Sequence, residues 1–178
     1  MSQKLTFTTG RMLNTTVSSA TDVIYFDIRT PEWEPHLTTV RRLDHRTGLY
    51  ELTASIRNEG DKPVAVSLYG GAFEPVEQWI KKVDGAMPGE SRWQFDDGEG
   101  NVFAWSIANS QLELYSAEEG ARIKRAFATF YPHKRHLFVG LISQHAYLEM
   151  DNSIIESVDG IIVSLLIVGR KRKTKTLE

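Results

Sequence analysis

The sequence contains no cysteine, which excludes a disulfide framework, a thiolate metal site and a cysteine nucleophile. It has no apolar run of about 20 residues, the length that a membrane-spanning helix requires. Its N-terminal stretch lacks the apolar segment of a secretory signal. We find no glycine-rich phosphate loop and no nucleophile elbow. These absences predict a cytoplasmic location, no transmembrane span, no cofactor, and a binding protein in preference to an enzyme.

The composition is that of an ordinary globular protein, with 41% hydrophobic and 25% charged residues in a chain of 178. The net charge of −2 is unevenly distributed. The last nine residues, RKRKTKTLE, hold five bases and one acid and so carry +4, which leaves −6 on residues 1–169. We therefore expect a single domain over residues 1–169, which would not bind nucleic acid, and a basic tail over 170–178.

Most of the chain has the pattern of short strands separated by turns, about ten to twelve in all. Between residues 49 and 57, four apolar side chains alternate with polar ones as in a half-buried strand: Tyr50, Leu52, Ala54 and Ile56. A turn at 96–101 joins two runs whose aromatic residues would pair across a hairpin: Trp93, Phe95, Phe103 and Trp105. The spacing of Glu74–Val83 predicts one short helix. A mainly β sandwich or barrel is expected.

The segment Ser153–Gly169 contains the longest apolar stretch, with seven apolar residues and one serine over Ile161–Val168. No polar face remains at helical or at strand spacing, so protein must enclose this stretch. An apolar helix could fill the interior of a barrel. Alternatively, Asp159-Gly160 could be the turn of a hairpin, because Asp-Gly is a strong turn signal and isoleucine and valine favour strands. The residues alone leave both structures open.

Four stretches resemble a family of domains of unknown function that is expanded in mushroom-forming fungi: Leu5–Phe7 with Leu13–Val17, Thr38–Arg42, Trp93–Gly98 with Phe103–Trp105, and Asp159–Arg172. That family is similar to the tubby C-terminal, LURP-one-related and phospholipid-scramblase proteins. The resemblance implies a closed antiparallel barrel around a hydrophobic C-terminal helix at about Val158–Val168. It also implies lipid binding as a class of function. No phosphoinositide or calcium motif of those proteins matches this sequence.

The basic tail supplies the main candidate site: Arg170, Lys171, Arg172, Lys173 and Lys175. Each base near a charged membrane surface adds about 1 kcal/mol of binding free energy. The tail could therefore bind anionic phospholipid headgroups. It could also contact a protein, act as a nuclear-localisation signal, contact nucleic acid, or be a solvated end of the chain.

A second candidate is Trp33, which lies between Pro31 and Pro35 in a loop that could present an aromatic ring to a ligand. We expect no metal site at His133, His136 and His145, because a spacing of three on a strand points side chains to opposite faces. The acidic turn at 96–101 does not have the spacing of a calcium loop. Glu156 and Asp159 are expected to stabilise the start of the buried segment.

These features favour a non-enzymatic cytoplasmic protein that binds an anionic lipid surface or a protein partner, with a peripheral membrane or nuclear location set by the tail. One alternative is a small-molecule binder or enzyme with a pocket at a barrel end, near Trp33 or the acidic turn. Another is a carbohydrate-binding protein.

Overall fold

The computed structural model describes residues 1–9, 12–21, 23–84, 91–108, 111–117, 125–136 and 142–175, with the side chains at 108, 134–136, 142–144 and 172–175 outside that description. The elements in chain order are β1 Ser2–Phe7, β2 Thr15–Ser19, β3 Tyr25–Arg29, β4 Leu37–Asp44, β5 Leu49–Glu59, β6 Lys62–Leu68, β7 Glu74–Pro75, α1 Val76–Trp79, β8 Lys81–Asp84, β9 Ser91–Asp96, β10 Val102–Ala108, β11 Gln111–Ser116, β12 Ala128–Tyr131, β13 Lys134–His136, β14 Ile142–Gln144, β15 Tyr147–Asp151, a 3-10 turn Asn152–Ile154, and α2 Val158–Lys175.

Thirteen of these strands form one antiparallel sheet in the order β7-β6-β5-β4-β3-β2-β1-β15-β12-β11-β10-β9-β8, and β13 pairs with β14 separately. The first seven strands therefore follow each other in chain order. At the middle of the sheet, β1 pairs with β15, so that Leu5 lies opposite Leu148. The prediction of a mainly β fold is confirmed.

The predicted closed barrel is not what forms. Within the described residues, the sheet is open, and β7 and β8 are its two edges. The short helix α1 lies in the chain between these edges and contacts β6, β7 and β8, while its Trp79 ring packs 5.7 Å from the ring of Phe95 on β9. Side-chain packing by α1 therefore connects the two edges where a barrel would have a hydrogen-bonded ladder.

The core of the fold is the helix α2. All residues from Ile161 to Val168 are fully buried, and α2 contacts β6 near one edge of the sheet and β9 near the other. The sheet thus curls around the helix, which confirms the predicted hydrophobic C-terminal helix. The hairpin alternative was wrong, because Asp159 and Gly160 lie in the first turn of the helix.

One polar contact fixes the register of α2 inside the sheet. The Trp105 Nε1–H group of β10 donates a hydrogen bond of 2.8 Å to the Ser164 hydroxyl, and both residues are fully buried. The Ser164 hydroxyl in turn donates to the Ile161 carbonyl at 3.0 Å. The one polar residue of the apolar stretch therefore satisfies the indole N–H, which would otherwise be buried without an acceptor.

The aromatic hairpin has the predicted pairing, with Trp93 opposite Trp105 and Phe95 opposite Phe103. The predicted helix over Glu74–Val83 is shorter, because both of its ends are taken by sheet pairing: Pro75 lies opposite Ala65, and Lys81–Asp84 pair with β9.

The predicted alternation in β5 is only half right. Ala54 and Ile56 are buried, whereas Tyr50 and Leu52 are exposed. The β4–β5 hairpin extends past the start of α2, where Arg42 contacts Asp159. The outer part of the hairpin therefore has no core to cover.

Candidate functional site at the ends of the central helix

The basic residues from Arg170 to Lys175 continue the backbone of α2. The helix backbone continues without a break from the buried Ile161–Val168 stretch through Lys175. The expected boundary between residues 169 and 170 therefore falls inside a helix. The side chains of Arg172, Lys173 and Lys175 lie outside the described part of the chain, so the structure gives only their place at the helix end.

Arg170 differs from the other bases because it is only 7% exposed. Its guanidinium donates from Nη1 to the Asn58 side-chain oxygen at 2.7 Å and from Nη2 to the Asp61 carbonyl at 2.9 Å. Burial lowers the pKa of the Arg170 guanidinium, and the nearby Asp61 charge opposes that shift. Arg170 thus fastens the helix to the β5–β6 turn.

Asn58 connects this helix end to the loop that precedes β4. It is buried, and its side-chain NH₂ donates to the Thr38 hydroxyl at 3.0 Å. Its backbone N–H donates to the His36 carbonyl at 2.8 Å. Through Asn58, Arg170 and the loop at residues 30–36 are held at the same end of the fold.

Lys171 follows on the same helix end and is half-buried. Burial lowers the pKa of its ammonium group, the Glu77 carboxylate raises it, and the Lys62 charge lowers it again. Lys62 and Lys171 are therefore close enough to repel each other, and Glu77 of α1 compensates part of that repulsion.

The predicted exposure of Trp33 agrees with the structure, in which 87% of the residue is accessible. Turn hydrogen bonds from Glu34 N–H to the Pro31 carbonyl and from Leu37 N–H to the Glu34 carbonyl, both 3.0 Å, hold its loop. The backbone on both sides of the exposed Trp33 is thus held in turns, and the same loop leads to His36, whose carbonyl accepts the Asn58 N–H.

At the opposite end of α2, Asp159 lies in the first turn of the helix and has two partners. Arg42 Nη1 donates to one carboxylate oxygen at 2.9 Å, and the Tyr69 hydroxyl donates to the other at 3.2 Å. A carboxylate here also interacts favourably with the helix dipole. Asp159 has the predicted stabilising place, whereas Glu156 is exposed to solvent.

The acidic turn at 96–101 is attached to the same helix end through Asp97. Its buried carboxylate accepts hydrogen bonds from the Ser157 hydroxyl at 2.6 Å, the Asn101 amide at 2.8 Å and the backbone N–H of Glu99 at 2.9 Å. Burial by itself raises the pKa of Asp97, but these hydrogen bonds outweigh burial and lower the pKa below its ordinary value. The turn therefore stabilises the start of the helix.

An open cleft of about 310 Å³ lies between the β4–β5 hairpin and the start of α2. Its walls include the Arg42–Asp159 pair and the Tyr69 ring. The pKa of Tyr69 is raised to about 12, first because burial of its hydroxyl end disfavours the phenolate and second because Asp159 is negative. The sequence prediction of a pocket near Trp33 or the acidic turn did not identify this cleft.

The histidines give no cluster of metal ligands in the described part of the chain, where no group of three or more suitable side chains is found. The rings of His133 and His145 lie 6.4 Å apart. The side chain of His136 lies outside the described residues. The prediction of no metal site at these three residues stays a prediction.

A family model matches residues 10–174, nearly the whole chain. The chain belongs to the family of unknown function DUF6593. Neither a curated protein nor a solved structure matches it. Membership in DUF6593 agrees with the expected family of unknown function, but the resemblance to tubby, LURP-one-related and scramblase proteins and the fungal origin find no support. Across the described residues, no helix combines the length and the apolar character needed to span a bilayer.

Proposed function

We propose that this protein binds anionic lipid surfaces, without catalysis, through the basic C-terminal end of α2. The observation that carries the proposal is the continuity of the helix: one rigid element runs from the fully buried Ile161–Val168 stretch to Lys175. Arg170 fastens that end to Asn58 and Asp61. The bases beyond Arg170 are therefore held at a fixed place on the fold, and their charge is concentrated there.

The charge distribution supports the same proposal. Residues 1–169 carry −6 and the last nine residues +4, so the net positive charge that would attract an anionic surface belongs to the C-terminal end of the sequence. Arg172, Lys173 and Lys175 together would contribute about 3 kcal/mol at about 1 kcal/mol each. This corresponds to an affinity change of roughly 100-fold. Such binding would place the protein at the cytoplasmic face of a membrane and would weaken as salt screens the charges.

The loop at Trp33 would act beside the helix end in two opposing ways. Its exposed ring can enter the interfacial layer, as amphipathic aromatic residues do. Its neighbours Glu32 and Glu34 repel an anionic surface. Replacing both glutamates by glutamine should therefore strengthen binding, whereas Trp33→Ala should weaken it without changing the salt dependence.

The test is sedimentation of the full chain with phosphatidylcholine vesicles, with and without phosphatidylserine. The first variant carries Lys173→Gln and Lys175→Gln. The control carries Arg46→Gln and Arg125→Gln, which removes the same charge from exposed residues at the other end of the fold. Two bases at about 1 kcal/mol each predict a loss of roughly 30-fold for the first variant, and little change for the control.

Tryptophan emission gives an independent readout, because Trp79, Trp93 and Trp105 are buried and Trp33 is exposed. A blue shift on adding phosphatidylserine vesicles, abolished by Trp33→Phe, would support the proposed orientation. Equal losses for the helix-end variant and its control would contradict a localised site. Vesicle binding that is insensitive to salt and to both variants would refute the proposed electrostatic site. No binding to either type of vesicle would refute lipid binding and favour a protein partner.

A further inference from the structure

Tyr69 has an unusual backbone conformation for a bulky residue. It lies at the end of β6 with φ +50°, in the left-handed region that favours glycine, and Gly70 follows with φ +75°. A glycine at position 69 would form the same turn without strain. Strained residues of this kind persist only where neighbouring contacts hold them, and they concentrate at functional sites. The tyrosine side chain is therefore the feature that needs explanation.

Two contacts hold Tyr69 in this conformation. Its backbone N–H donates to the Thr53 carbonyl at 2.9 Å, and its hydroxyl donates to Asp159 at 3.2 Å. Asp159 is itself fixed by Arg42 at 2.9 Å. The side chain is thus held by its hydroxyl end, while 64% of the residue remains exposed. The result is an aromatic ring held in a fixed orientation at the wall of the 310 Å³ cleft.

The charges in the cleft nearly cancel. Arg42 already pairs with Asp159, and Arg46 lies 3.6 Å from Asp44, so two cationic and two anionic groups are matched. Glu51 adds a carboxylate that the cleft leaves open to hydrogen bonding. A strongly charged ligand would therefore gain little. Fixed donors and acceptors side by side instead suit hydroxyl groups, which both donate and accept.

The remaining walls are partly apolar, because the exposed side chains of Val23 and Leu52 line the same cleft. The volume is at the lower end of the range of small-molecule sites, about 300–1,000 Å³. A small ligand with an apolar face and a rim of hydroxyls fits this combination. We propose that the cleft binds a neutral sugar ring that stacks on Tyr69 and hydrogen-bonds to Glu51 and to the Arg42–Asp159 pair. This site is separate from the basic helix end.

The experiment is saturation-transfer NMR and calorimetry on the full chain with glucose, galactose, mannose and N-acetylglucosamine. The decisive variant is Tyr69→Gly, which relieves the positive φ and removes the ring. If the ring serves a ligand, this variant should keep the thermal stability of the wild type or exceed it, yet bind sugar at least about tenfold more weakly. A purely structural tyrosine would show the reverse: lower stability and unchanged binding.

Two further variants distinguish a loss of sugar binding from a folding defect. Glu51 is exposed, so Glu51→Gln should fold normally and weaken binding about threefold through loss of a charged acceptor. Trp33→Ala, at the other end of the fold, should bind sugar like the wild type. If none of the four sugars binds detectably to the wild-type chain, or if Tyr69→Gly binds sugar as tightly as the wild type, the proposal is overturned.

Discussion

The hydrogen bond between Trp105 and Ser164 gives the sharpest test of how α2 is held. Replacing Ser164 by alanine removes the acceptor of a fully buried indole N–H at 2.8 Å. A buried donor left without a partner costs about 1–3 kcal/mol. Alanine has a better helix propensity than serine, which offsets up to about 0.5 kcal/mol of this loss. The expected net loss of unfolding free energy is therefore about 0.5–2.5 kcal/mol.

Urea unfolding monitored by circular dichroism measures this loss. With a slope of about 2 kcal/mol/M, the urea midpoint should fall by about 0.25–1.25 M while the slope stays the same. Trp105→Phe also destabilises, because it leaves a cavity. The double variant no longer has an unsatisfied donor. Its loss of unfolding free energy should therefore be smaller than the sum of the two single losses by at least about 1 kcal/mol. Ser164→Ala as stable as the wild type, or strictly additive losses, would refute the reasoning.

Three further predictions concern the helix ends. Asp97→Asn should reduce the loss of stability in acid. Because the pKa of Asp97 is lowered in the folded state, its contribution to the unfolding free energy is present above about pH 5 and is lost as pH falls below about 4. The unfolding free energy of the variant should therefore fall less steeply in that range than that of the wild type. Asn58→Ala should cost about 1.5–3 kcal/mol in urea unfolding, because buried Arg170 loses a hydrogen bond to its charged group. Since the pKa of Tyr69 is raised to about 12, the folded state disfavours ionisation of its hydroxyl, so the unfolding free energy should decline as pH rises from about 10 toward 12. Ultraviolet titration should show a late phenolate phase that Tyr69→Phe removes.

The parts of the fold that sequence could predict are those fixed by local pattern. The apolar stretch Ile161–Val168 had to be enclosed, and it is fully buried. The aromatic spacing around the 96–101 turn predicted the observed pairing of Trp93 with Trp105. The choice of helix over hairpin for the apolar stretch came from the family resemblance, since Asp159-Gly160 is equally typical of a turn. Here enclosure on all sides favoured the helix, which satisfies its backbone internally.

What could not be predicted depends on contacts distant in sequence. Arg170 is one base in a run of five, and nothing local marks it as buried; its partners Asn58 and Asp61 lie more than 100 residues away. The open sheet could not be predicted either, because α1 occupies the region between the sheet edges. That position depends on the packing of Trp79 on Phe95, two residues that lie apart in the sequence. At Tyr69, the following Gly70-Gly71 marked a turn, but glycine was the expected residue for a positive φ.

The pairing of β1 with β15 has a consequence for biosynthesis. The first strand stays without its second neighbour until residue 151 has left the ribosome. The hydrophobic centre arrives later still, because α2 follows β15 in the sequence. During translation, the inner faces of the earlier strands therefore have no helix to cover them. We expect the nascent polypeptide to depend on chaperones until α2 has been synthesised, and a premature stop before residue 158 to yield aggregated material.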